Sequence, residues 1–224
     1  MENELLPKHL GFIVDGNRRW ARERGLPTLE GHRRGIALVE DIAHECFDRG
    51  VKFASFYIFS TENWDRSEEE VSYLMDLVDK CLKKFSKKCI EKNVRIAILG
   101  TKERLSEKLV KAVEEAERLT EKCTGAVLAL CFNYGGKKEI EDAVAKIDGE
   151  VTVEKIEQNL YHPEIPPVDM VIRTSGEQRI SGFMLWRMAY SEMLFLDKKW
   201  PDMTKEDVGL ILEDFASRNR RFGK

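Results

Sequence analysis

Six short apolar runs, rich in β-branched and aromatic residues, recur along the chain at Leu10-Val14, Val51-Phe59, Val94-Leu99, Ala126-Phe132, Val168-Ile172 and Met193-Leu196. Their apolarity is nearly continuous instead of alternating, which marks strands covered on both faces, as in a parallel sheet. Helical patterns fill the intervals. Ile36, Val39, Ala43 and Phe47 share one face of the first long helix; Val71, Leu74, Met75, Val78, Leu82, Phe85 and Cys89 line a second. Ser67 with Glu70 reads as a capping box that opens this second helix. Further helices are expected at about Glu103-Cys123, Lys137-Ile147, Thr152-Tyr161 and from a Thr204 cap to Arg218, while the prolines between His162 and Pro167 mark a connection. The repeated β-α order predicts one α/β domain: a six-stranded, largely parallel sheet flanked by helices and joined by right-handed crossovers.

The unusual polar segments fall where these runs end. Asp15-Gly16-Asn17-Arg18-Arg19-Trp20 follows the first, Ser60-Thr61-Glu62-Asn63-Trp64-Asp65-Arg66 the second, Asn133-Tyr134-Gly135-Gly136-Lys137 the fourth, and Arg173 through Ser181 the fifth. In an open parallel sheet these loops share one edge, outside the carboxyl ends of the strands, where ligands bind. Gly, Asn and Ser suit turns on their own account, but four such loops, each with an Arg or Lys, point to a shared anion site. Arg19, Arg66, Arg173 and Arg179 would converge there with His32, and like charges gathered in this way require a polyanionic partner. Guanidinium forks match phosphate oxygens bidentately, and helix N-termini after Asn17, near Gly31 and after Gly136 would add N–H donors. Asp15 is out of place among phosphates unless a divalent cation lies between them, and Mg²⁺ is commonly held by one or two carboxylates plus substrate phosphates.

Composition removes several alternatives. Charged residues make up 34% of the chain but nearly cancel, to a net charge of -3, which speaks against a nucleic-acid binder. No apolar run approaches the roughly 18 residues of a membrane span, and Met1 to Lys8 lacks the apolar core of a signal peptide. The five cysteines show no CxxC spacing and sit mostly in apolar patterns, so a reducing cytoplasm is expected, with neither zinc site nor disulfide framework. There is no GxxxxGK[ST] loop, no GxGxxG fingerprint, no GxSxG elbow and no DDxxD motif. A phosphatase or nucleotide-binding module is therefore disfavoured.

The motifs as a set resemble the cis-prenyltransferases of the undecaprenyl diphosphate synthase type. The resemblance rests on Asp15 through Trp20, Gly31-His32-Arg33-Arg34-Gly35, Phe59 through Trp64, Asn133 through Gly136 and Arg173 through Glu177. It continues through Arg179-Ile180-Ser181, Phe183-Met184-Leu185-Trp186, Tyr190-Ser191-Glu192 and Arg221-Phe222-Gly223, and so covers nearly the whole chain. It implies a homodimer that adds isopentenyl diphosphate units to an allylic diphosphate (farnesyl or geranylgeranyl) with Mg²⁺. In that reading Asp15 holds the metal and assists departure of the allylic diphosphate, which Gly16, Asn17, Arg18, Arg19 and His32 bind. Ser60, Glu62, Trp64 and Arg66 position the substrates, Arg173, Arg179 and Ser181 grip isopentenyl diphosphate, and Trp20, Thr61 and Ile180 belong to the same substrate-binding set. Glu192 adds a metal contact across the dimer, and Arg221-Phe222-Gly223 reaches the neighbouring site.

Asn63 is cast by the family as the catalytic proton acceptor, but a neutral amide has no useful basicity near pH 7. It is expected to orient isopentenyl diphosphate or to relay the proton to a diphosphate oxygen. An apolar product tunnel is expected along the stripe from Val71 to Cys89, with Ile36, Val39 and the strand Ala126-Phe132. The helix from Ser67 to Asn93 carries no insertion, which implies a product of about undecaprenyl length, precursor of a glycosyl carrier lipid, delivered by peripheral contact with a membrane. Three departures stand out. Thr28 occupies a place where an Arg is usual, leaving Arg18 or Arg33 to compensate; Gln178 replaces a His and is excluded as a ligand; Ser175 and Gly182 vary without removing a charge. They point to an archaeal or otherwise divergent branch and leave the primer open. The alternative is a non-catalytic partner subunit of a heteromeric prenyltransferase, but such subunits typically lack the Asp and arginines present here as Asp15, Arg19, Arg173 and Arg179.

Overall fold

The computed structural model describes residues 6–219. Along the chain run β1 (His9–Ile13), α1 (Asn17–Glu23), α2 (Thr28–Asp48), β2 (Phe53–Ser60), α3 (Glu68–Glu91), β3 (Val94–Leu99) and α4 (Glu107–Thr120). After these come β4 (Ala126–Tyr134), α5 (Gly136–Ala145), α6 (Val153–Asn159), β5 (Met170–Arg173), β6 (Glu192–Phe195) and α7 (Lys205–Ser217). Short 3-10 turns cover Thr61–Asp65 and Trp200–Asp202. The strands form one sheet in the order β3-β4-β2-β1-β5-β6, and every pairing is parallel. The fold is the expected six-stranded α/β sheet. No helix among the described residues is long and apolar enough to cross a membrane.

Successive strand residues alternate between two cores, as the period of two requires. Leu10, Phe12, Ala54 and Phe56 face the layer of α2, α3, α4 and α7; Ile13, Tyr57, Ala129 and Cys131 face a second layer with Phe183, Met184 and Met188. Phe12 and Phe56 stack at 4.9 Å between ring centroids, and both lie against Trp200, whose indole N–H reaches the Gly35 carbonyl at 2.8 Å. Each such fully buried ring contributes about 1.5–3 kcal/mol through removal from water.

The element ends differ from expectation for local reasons. β2 extends to Ser60 and β4 to Tyr134, so Ser60 and Asn133 end strands instead of opening loops. The β2–β4 register shifts between Tyr57 and Ser60, an irregularity that re-aims side chains at the strand end. α4 starts at Glu107 instead of Glu103, because Ser106 caps the Leu109 N–H and Arg104 has φ 64°. At α3 only half of the expected capping box forms: Ser67 accepts from the Glu70 N–H, but the Glu70 carboxylate turns to His32 and Arg66. The stripe expected to line a tunnel is packed core. Val71, Val78, Leu82, Phe85 and Cys89 are buried with Ile36, Val39, Leu128, Leu130 and Phe132, while Leu74 reaches a cavity wall.

Candidate active site

At the carboxyl ends of β1, β2 and β5 lies an open cavity of about 540 Å³. Its wall includes Asp15, Gly16, Asn17, Arg18, Arg19 and Arg22 from the β1–α1 corner and His32 from α2. Ser60, Glu62, Asn63 and Arg66 enter from the end of β2, and Arg173, Arg179 and Ser181 from the end of β5. Ile13, Val14, Tyr57, Ile58 and Leu74 supply an apolar side. The corner depends on close backbone approach. A Cβ at Gly31 would lie 2.0 Å from the Asn17 carbonyl oxygen, and one at Gly35 would lie 2.2 Å from Asn17 Oδ1, so the start of α1 seats directly on α2. Gly16 itself has φ 100°, a conformation that side-chain-bearing residues rarely adopt.

The cationic side chains are tied to carboxylates. Arg173, only 4% exposed, donates from Nη2 to Asp15 Oδ2 at 2.8 Å and from Nη1 to Ser181 Oγ at 2.9 Å and to the Arg179 carbonyl. Asp15 Oδ1 accepts from the Gly16 N–H at 2.6 Å and lies 3.2 Å from Arg19. Arg19 also reaches Glu177 at 2.7 Å, and Arg179 pairs with the same carboxylate. Burial alone would raise the Asp15 pKa; the hydrogen bond and charge of Arg173, with Gly16 and Arg19, outweigh it and hold Asp15 below the usual carboxylate range. Behind the opposite wall, Glu70 Oε1 accepts from His32 Nε2 and Arg66 Nη1, each at 2.9 Å, and Oε2 is 4.0 Å from Arg18. Burial lowers the His32 pKa more than Glu70 raises it. Arg173 Nε and Asn17 Oδ1 are both buried without a hydrogen-bond partner, as are Glu40 Oε1 and Asp79 Oδ1 away from the cavity.

Asn63 is oriented by its own turn. Its Oδ1 accepts from the Ser60 N–H at 3.0 Å, which leaves the NH₂ group, a donor, for the cavity. A side chain presenting N–H groups can hold a diphosphate oxygen but cannot take a proton.

The structure gathers most of the residues expected at the site, and it relocates several. Trp20 leaves the cavity: its indole N–H bonds Asp202 at 2.7 Å and its face carries Arg24. Trp64 packs on Phe59 and under Arg104, with its N–H on Asn133 Oδ1 at 2.7 Å, and lines a separate groove. Thr61 and Ile180 lie beside the cavity wall without forming part of it. The Asn133 loop braces the site instead of lining it, since Asn133 also bonds the Thr101 and Glu103 carbonyls and the Gly136 N–H is taken by Gly182. Glu192 is paired with Met170 at the start of β5, three residues below Arg173, and its carboxylate binds Arg218 at 3.0 Å. Within one subunit it therefore shares no site with Asp15. Arg33 is exposed and bound to Glu30, so it does not stand in for an Arg at Thr28. Arg22, one turn beyond Arg18, reaches the cavity instead; the i, i+4 spacing was the available signal. Arg221-Phe222-Gly223 lies outside the described residues.

The family model described as "Putative undecaprenyl diphosphate synthase" matches residues 13–223. The chain belongs to the undecaprenyl diphosphate synthase family. It is 43% identical to an isoprenyl transferase of Thermotoga maritima, with 97% of each chain covered. It is 40% identical to the ditrans,polycis-undecaprenyl-diphosphate synthase, (2E,6E)-farnesyl-diphosphate specific, of Micrococcus luteus, over 97% of this chain and 92% of that one. Among solved structures, lavandulyl diphosphate synthase from Lavandula x intermedia in complex with dimethylallyl diphosphate superposes with a TM-score of 0.93 at 30% identity, over 99% of this chain and 100% of that one. The chain is thus a prenyl transferase of this family.

Proposed function

We propose that this member condenses isopentenyl diphosphate with an allylic diphosphate, farnesyl or geranylgeranyl, in repeated Mg²⁺-dependent cis additions. The product is a polyprenyl diphosphate of about undecaprenyl length, precursor of a glycosyl carrier lipid. The observation that carries the proposal is the cavity in which Arg18, Arg19, Arg22, Arg66, Arg173 and Arg179 surround Asp15 and Asn63, with an apolar side formed by Ile58 and Leu74. Two diphosphates need this many cations, and a prenyl chain needs the apolar wall. In each addition the allylic C–O bond breaks and diphosphate departs. A bond forms between the two carbon skeletons, and the isopentenyl unit loses a proton.

The residues divide accordingly. Arg18, Arg19, Arg22 and His32 border the side of the cavity assigned to the allylic diphosphate, and Arg173, Arg179 and Ser181 the side assigned to isopentenyl diphosphate. The Asn63 amide donates to isopentenyl diphosphate and fixes its orientation, so the departing proton passes to a diphosphate oxygen. Asp15 fits a magnesium ion: it is a partly exposed oxygen donor held ionised, with the Glu62 carboxylate on the same wall. Among the described residues no cluster of three or more His, Cys, Asp or Glu is arranged for a metal, so such an ion would take its remaining ligands from phosphates and water. When bound, the metal would neutralise charge on the leaving diphosphate. The homodimer, a cytoplasmic location and peripheral membrane contact at product release complete this reading.

The test is incorporation of labelled isopentenyl diphosphate with dimethylallyl, farnesyl and geranylgeranyl diphosphates, each with Mg²⁺ or EDTA, followed by resolution of product lengths. Elongation that EDTA abolishes is expected. Primer binding without elongation would favour the partner-subunit role.

A further inference from the structure

Glu70 does not line the cavity, yet two residues that do are hydrogen-bonded to it from different elements, His32 from α2 and Arg66 from the turn before α3, and the half-exposed Arg18 of α1 lies 4.0 Å away. Its side chain is largely buried, 10% exposed, at the third position of α3, and Ser67 satisfies its backbone N–H. The carboxylate takes no part in the cap and turns to His32 and Arg66 instead. Burial would raise its pKa, but His32 and Arg66 hold it below the usual range, so it is an anion at neutral pH. An ionised carboxylate only accepts, hence the His32 Nε2 facing it carries a proton.

We infer that Glu70 is a positioning residue for prenyl transfer, which locks His32 and Arg66 in cavity-facing positions and joins the allylic side of the site to the Asn63 turn as one unit. The inference rests on the reading of the cavity as a diphosphate site. A lone structural ion pair would need one cation. Here a single buried oxygen serves both an imidazole and a guanidinium at 2.9 Å, and both groups belong to the cavity wall. Without the carboxylate, a long cationic group and a ring would have to be ordered by the substrate itself, at the cost of binding and orientation.

A charge effect and a positioning effect predict opposite signs, which makes the inference testable. Glu70→Gln removes a negative charge from beside an anion site. If Glu70 acted only through its charge, inorganic diphosphate would bind more tightly to the variant. As a positioning residue, its loss weakens inorganic diphosphate binding about tenfold, the scale of one charge-assisted hydrogen bond. Calorimetric titration of the full-length protein with inorganic diphosphate reads this without any turnover, so it stands even if the elongation assay fails. In a His32→Ala, Arg66→Ala background, the further effect of Glu70→Gln should shrink to within about twofold, because coupled residues are non-additive. Where isopentenyl incorporation is measurable, kcat should fall with Glu70→Gln in the otherwise unchanged protein and not in that background. Tighter or unchanged diphosphate binding, or an equal penalty in both backgrounds, would overturn the inference. If circular dichroism shows that Glu70→Gln does not fold, Glu70→Asp takes its place in the same cycle: it keeps the charge but shortens the reach, and the same weakening is expected.

Discussion

Arg173→Lys tests how much depends on one guanidinium. In the wild-type protein this group joins two segments through three partners: Asp15 after β1, and the Arg179 carbonyl and the Ser181 hydroxyl after β5. Lysine keeps the charge but has a compact ammonium that cannot span both sides with fork geometry. A hydrogen bond involving a charged group contributes about 1.5–3 kcal/mol, so losing two of the three amounts to about 3 kcal/mol or more. At about 1.4 kcal/mol per factor of ten, kcat/KM should fall roughly a hundredfold. Both parameters should move: KM for isopentenyl diphosphate rises because Arg179 and Ser181 lose their brace, and kcat falls because Asp15 is no longer fixed. Initial rates of labelled isopentenyl incorporation against each substrate, with thermal melts to confirm folding, measure this. A folded Arg173→Lys protein with kcat/KM within about threefold of wild type would refute the bridging argument.

Three further outcomes follow from the geometry. Asn63→Asp should lower activity and weaken isopentenyl diphosphate binding, because it replaces a donor with an anion where phosphate must sit; a faster variant with a new pH limb near a carboxylate pKa would assign Asn63 a base-like role. Leu74→Phe should shorten the products with folding intact, whereas Leu82→Trp should destabilise by about 1–3 kcal/mol, since Leu74 reaches the cavity and Leu82 is fully packed; product chromatography and urea melts separate the two. His9 is wholly buried between Ser55 Oγ at 2.7 Å and the Pro166 carbonyl at 2.9 Å, and burial brings its pKa down to about 4. The unfolded chain therefore binds a proton that the folded one resists: full stability stands above about pH 6.5, and about 3 kcal/mol is lost as pH falls towards 4. Denaturant titrations at several pH values should show that slope, flattened in His9→Gln.

The sheet was legible because burial on both faces leaves a near-continuous apolar signature, and Asp15, Arg19 and Arg66, in the segments that follow β1 and β2, line the cavity where topology puts them. What adjacency in sequence could not show is direction. Along α1 each residue turns about 100° from the last, so Arg18 and Arg22 share the cavity side while Trp20 points away to Asp202. Glu192 is close in sequence to the β5 loop, yet it begins a parallel strand and so lies at the far end of the sheet from Asp15 within one chain. Glu70 looked like a cap, and its contact with His32 depends on α2 passing within reach of α3, a tertiary fact that sequence spacing does not carry.

The pairing of nearly every cavity arginine with a carboxylate has a consequence for turnover. Arg18 and Arg66 lie against Glu70, Arg19 against Asp15 and Glu177, Arg173 against Asp15 and Arg179 against Glu177. In the proposed reaction an incoming diphosphate would displace Glu177 from Arg19 and Arg179, while Glu70 and Asp15 stay in place as braces. Binding is then an exchange of one set of counter-ions for another, with a smaller net gain than the arginine count implies, and departure runs the same exchange backwards. Each spent diphosphate leaves against a built-in competitor that reoccupies the guanidiniums behind it. If each addition releases one diphosphate, as proposed, Glu177 would contest its hold at Arg19 and Arg179 and so favour its departure.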